Sequence, residues 1–126
     1  GVDFMRSNVA ASNIEVFSAG DKGFSVGEMS NIKIESSKVD ASEIGVAVKD
    51  MSLLEIENST LSENQIAMSI YSKNWRFGGP GKMIIKNVEF VLNNVDLDIE
   101  ETAQVQIFDG VNINVTTGDG SFSYVR

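Results

Sequence analysis

Apolar residues recur along this chain at two superposed periods, one of two residues and one of 22. Ile32, Ile34, Val39, Ile44, Val46 and Val48 return 22 positions later as Leu54, Ile56, Leu61, Ile66, Met68 and Ile70. Met83, Ile85, Phe90, Val95, Leu97 and Ile99 form a third copy 29 positions further on, so seven extra residues fall within Tyr71 to Gly81. Phe24 and Val26 extend the series backwards, and Val2 and Phe4 extend it once more. Val105 and Ile107 open a further copy at the other end. Inside each copy apolar and polar residues alternate, as in Ile44-Gly45-Val46-Ala47-Val48, which predicts strands with one buried face. Helical spacing is absent, and no hairpin dipeptide joins the runs.

Strands that cannot pair with their sequence neighbours must pair with their own copies one repeat away. The prediction is an all-β, right-handed parallel β-helix of about five coils, 22 to 29 residues each, formed by residues 1–126 as one domain. Each coil carries strand one (as in Ile44 to Val48), strand two (Ile32 to Glu35) and strand three (around Val39). Ile34, Ile56, Ile85 and Ile107 are expected in one interior column. Phe122 and Tyr124, one repeat beyond Leu97 and Ile99, are expected to close the last copy on strand one. Ser36, Asn58, Asn87 and Asp109 fall at one turn position, where Asn tolerates the left-handed conformation and can form an amide ladder. The outward row of strand two is expected to read Glu15, Lys33, Glu55, Ile84 and Gln106. Because the chain opens inside a strand, at Gly1-Val2-Asp3-Phe4, it is expected to be a fragment of, or module in, a longer protein.

Composition narrows the chemistry. With neither Cys nor His, thiolate and imidazole chemistry is excluded, leaving carboxylates, Lys, Arg, Tyr and hydroxyls. A net charge of −8 argues against a nucleic-acid partner, and no apolar run is long enough for a membrane helix.

The motifs Ile44-Gly45-Val46-Ala47-Val48, Ser30-Asn31-Ile32-Lys33-Ile34 and Glu57-Asn58-Ser59-Thr60-Leu61 resemble the right-handed parallel β-helix repeat. That repeat occurs in pectate lyases, polygalacturonases, polysaccharide epimerases and many bacterial surface proteins. The resemblance spans nearly the whole chain and implies a secreted or cell-surface setting and polysaccharide as the partner class. It does not carry an activity across: the Lys or Arg base of the lyases and the acids of the hydrolases find no residue-by-residue match, and the His of the alginate epimerase signature is missing.

Two outward rows on strand one are mostly small: Asp3, Ser25, Ala47, Ser69, Asp98 and Ser123, and beside them Gly1, Gly23, Gly45, Ala67, Asp96 and Ser121. Such a face either leaves room for a polysaccharide chain or simply suits close-packed coils. Asp96, Asp98 and Glu100 share one outward face and form a candidate calcium site, the only cofactor the sequence suggests; the plainer reading is a solvated acidic edge. The insertion carries Tyr71, Lys73, Trp75 and Arg76, candidate saccharide ligands through aromatic stacking and charge-assisted hydrogen bonds. Otherwise its aromatic residues fold back on the coil. The expected function is a non-catalytic scaffold module of a bacterial surface or secreted protein that contacts polysaccharide. The alternatives are a polysaccharide lyase, hydrolase or epimerase domain, and a self-stacking protein forming end-to-end homo-oligomers.

Overall fold

A computed structural model of the chain describes residues 1–73, 75–108, 115–117 and 121–125, with Trp75 and the last two stretches described as backbone only. The first coil contains β1 (Val2–Met5), β2 (Asn8–Ser12) and β3 (Glu15–Phe17), and the second β4 (Lys22–Gly27), β5 (Asn31–Glu35) and β6 (Lys38–Asp40). In the third, β7 (Ile44–Lys49) is followed by one long strand, β8 (Ser52–Ser62), and in the fourth β9 (Ile66–Tyr71) by β10 (Gly81–Val91). β11 (Val95–Ile99), β12 (Gln104–Phe108), β13 (Val115–Thr117) and β14 (Ser121–Val125) complete the chain. Strand one of every coil joins a six-stranded sheet, strand two an eight-stranded one that strand three extends. Each strand pairs in parallel with its copy one coil away. The molecule is a parallel β-solenoid of about five turns.

Period two decides which residues meet between the sheets. Ile34, Ile56, Ile85 and Ile107 stack in register, each at most 1% exposed. On the strand-one sheet Phe24 and Phe4 stand in adjacent columns with their rings parallel, centroids 6.4 Å apart. A stack held between two sheets cannot collapse around a gap, so each column transmits packing from coil to coil.

Two registers differ from the sequence expectation. In the first coil strand two is β2, where Ala10 faces Lys33, while Glu15 faces Lys38 on β3. Ala11 is a weaker apolar marker than Ile14 or Val16, and the alternation therefore points to the wrong copy. In the last coil β13 supplies strand one, Leu97 facing Val115, and Phe122 and Tyr124 face Val105 and Ile107 on strand two. That coil is therefore shorter on strand one than the sequence spacing implies. Alternation alone does not tell one sheet of a solenoid from the other.

Every corner among the described residues uses a positive-φ backbone conformation. Arg6, Glu28, Met29, Asp50, Met51 and Thr102 adopt positive φ between strands one and two. Asn13, Ser36, Asn58 and Asn87 do so between strands two and three, and Ser18, Ala41, Glu63 and Leu92 where the chain returns to strand one. A small polar residue often follows and turns inward, where its side chain caps the N–H of the coil below. Ser52 Oγ accepts from Ser30 N, Ser59 Oγ from Ser37 N and Asn64 Oδ1 from Ser42 N, at 3.1, 3.1 and 2.9 Å. Asn93 Oδ1 accepts in turn from both Asn64 N and Asn64 Nδ2. These ladders satisfy backbone donors that the bends would otherwise strand, a requirement of buried polar groups. The outer asparagine pair also forms, Asn87 Nδ2 donating to Asn58 Oδ1 at 2.8 Å. Asp109 lies outside the described residues.

Candidate functional site

The small residues of strand one do not leave an open trough. Ala47 and Ala67 have no exposed surface, and Ser25 and Ser69 are also buried. Part of the cover is Lys49, the last residue of β7. Its position one coil below is occupied by Gly27, and a Cβ there would stand 2.8 Å from Lys49 Cε. The absent side chain lets the Lys49 stem run back across the lower coil until Nζ donates to Ser25 Oγ at 2.9 Å. Only 8% of Lys49 remains exposed.

Around this ammonium lies a depression of roughly 350 Å³, lined by Asp3, Asp21, Lys22, Ser25, Lys49 and Lys73 among others. Lys22 Nζ is paired with Asp21 at 3.0 Å, and that hydrogen bond raises its pKa. Lys49 moves the other way: burial pushes its ammonium below the ordinary value, and the charges of Lys73 and Lys22 push in the same direction. Burial likewise raises the half-buried Tyr71 phenol, which faces Lys49 in the strand register.

The insertion runs down the corner between strands one and two instead of projecting from it. Lys73 N donates to Asp50 Oδ1 at 2.8 Å, and Gly79 O accepts from Met51 N at 2.9 Å. Gly79 has φ 153°, and a Cβ on it would lie 3.4 Å from Met51 Sδ, so glycine suits both the backbone and the approach. A single 3-10 turn, Trp75–Phe77, carries the segment on until the Phe77 ring lies 5.8 Å from the Arg6 guanidinium carbon of the first coil. The segment straddles the corner: Lys73 lines the strand-one depression, while Phe77 lines another on the strand-two side with Glu28 and Met29.

Of the candidate saccharide residues, Lys73 lines the depression and Tyr71 lies electrostatically close to Lys22 and Asp21 at its rim. Arg76 is exposed on the 3-10 turn, and the Trp75 side chain lies outside the described residues. The three acids are drawn apart. Buried Asp96 accepts from Asn93 Nδ2 at 3.2 Å, Glu100 accepts from Ser72 N, and Asp98 stays half-buried beside Ser69 in the sheet register. Among the described residues no group of three or more acid side chains is arranged to hold a metal ion.

Comparison with protein-family models, curated proteins and solved structures finds no match to the chain. The site therefore rests on its own geometry. Sequence reasoning missed Lys22, Lys49 and Asp21. The signal was present in Gly27, one repeat before Lys49, a vacancy under a long side chain that predicts a stem folded down along the stack.

Proposed function

We propose that this chain is a non-catalytic scaffold module, akin to the pectate-lyase-like β-helices, of a bacterial surface or secreted protein, and that it holds a polysaccharide on its strand-one face. The observation that carries the reading is the interleaving of donors and acceptors in one depression: Lys22, Lys49 and Lys73 donate, Asp3 and Asp21 accept, and Ser25 does either. Sugar hydroxyls donate and accept at once, and a shallow site of this composition orients them without enclosing the chain. Tyr71 lies beside Lys22 and Asp21 at the rim and offers an aromatic face to sugar C–H surfaces.

Titration with oligosaccharides, followed by the fluorescence of Trp75, the only Trp in the chain, tests the reading. Saturable quenching is expected, and Trp75→Ala should weaken binding by about 1 kcal/mol while the coil stays folded. Failure of every acidic and neutral glycan to bind would remove the proposal. One observation favours a lyase instead, namely a buried lysine with a lowered pKa, the condition a proton-abstracting base needs. An absorbance rise from an unsaturated uronate product would replace the scaffold reading.

A further inference from the structure

Lys49 is a buried cation without a counter-ion. Its one hydrogen bond goes to a neutral hydroxyl, and it forms no ion pair among the described residues. An ammonium carries three donors, so two remain. Holding an ammonium away from bulk water without a counter-ion is costly, and the cost shows here as a lowered pKa. Gly27 leaves the space that the lysine stem occupies, so the placement is built into two coils rather than being one rotamer of a surface side chain. Lys22 and Lys73 line the same depression, and Asp21 is already committed to Lys22.

We infer that Lys49, Lys73 and Lys22 form a subsite for one anionic group, a carboxylate or sulfate carried by the bound glycan. This rests on the polysaccharide reading for the carrier of the group but not for the group itself. The charges that bear on Lys49 come from every side of the site: Asp3 on β1, Lys22 on β4, Asp50 at the corner and Lys73 on the insertion. The cations lower its proton affinity and the two acids raise it. An anion placed among the three ammonium groups adds to the second set and relieves the like-charge repulsion between them.

Calorimetry with trigalacturonate, with its carboxyl-reduced uncharged counterpart and with sodium sulfate tests the inference. Trigalacturonate is expected to bind at least tenfold more tightly than the uncharged sugar. Lys49→Met should remove the preference. Lys73→Ala, at a less buried position, should reduce the preference with the unfolding temperature unchanged, which keeps the test decisive if Lys49→Met folds poorly. Equal binding of both sugars overturns the anion subsite and leaves the polysaccharide reading standing. Sulfate binding that depends on Lys49, with neither sugar bound, upholds the subsite and overturns the polysaccharide. No response to any of the three overturns both.

Discussion

Asn64 shows what a single side chain can contribute to a solenoid. It caps Ser42 N, donates to Val39 O 3.1 Å away and bonds Asn93, all while 2% exposed. Asn64→Ala would strand two buried backbone groups, Ser42 N and Val39 O, and is expected to cost roughly 2 to 3 kcal/mol in urea unfolding, against about 1 kcal/mol or less for the exposed Asn58→Ala. The exposed pair is readable from the Asn58/Asn87 repeat, yet the interior Asn64/Asn93 pair, set at the same separation, escapes attention because it follows Glu63 and Leu92 instead of standing at the bend itself. Ser42 holds the same position one coil below and is too short: its Oγ is buried without a hydrogen bond among the described residues. Ser42→Asn would give this position the reach that Asn64 has, so it should extend the ladder downward and stabilise the protein by about 1 kcal/mol. Lys49 makes the opposite contribution. Its folded pKa lies below 10.5, so the unfolded chain binds more protons between that lowered value and 10.5, and stability rises with pH across this window. In Lys49→Met the corresponding slope should vanish, and the variant should be the more stable at neutral pH.

Strands are legible in this sequence and corners much less so. Strict alternation identifies inward residues, and the parallel pairing follows from the repeat, because core columns such as Ile34, Ile56, Ile85 and Ile107 stay apolar from coil to coil. Assignment of a strand to its sheet rests on the corners, which explains why alternation misplaces Glu15, Phe122 and Tyr124 but not the Ile34 column. Left-handed conformations favour Gly and Asn, yet here they fall on Arg, Glu, Met, Asp, Thr, Ser, Ala and Leu as well. What holds them is the inward cap that follows many of the bends together with the coil-to-coil hydrogen bonds, such as Glu63 N to Val91 O at 3.0 Å. Leu92 is the clearest case, 79% exposed at φ 56° with no packing to offset the strain. Leu92→Asn should therefore raise stability by about 1 kcal/mol, read as a higher thermal midpoint with unchanged circular dichroism.

At the scale of the molecule, the candidate site exists because the insertion after β9 interrupts a regular stack. Its three lysines come from a strand start, a strand end and the insertion, separations that no motif search would join. Asp50 and Met51 alone turn the third coil between β7 and β8, whereas residues 72–80 make the same turn in the fourth. Replacing 72–80 by Asp-Met should restore the regular coil spacing, preserve the strand content and abolish glycan binding, as judged by circular dichroism and titration. The insertion also changes how the molecule holds together. A solenoid whose coils touch only their neighbours behaves as a one-dimensional chain of units, free to fray from either end. Here one segment leaving the fourth coil meets Asp50 and Met51 of the third and reaches Arg6 near the first, while Ser72 ties it to Glu100 at the start of the fifth. That strap couples units which the stack alone leaves independent. Amides along this corner should thus exchange with solvent as one cooperative block, and the two corners without a strap should open coil by coil.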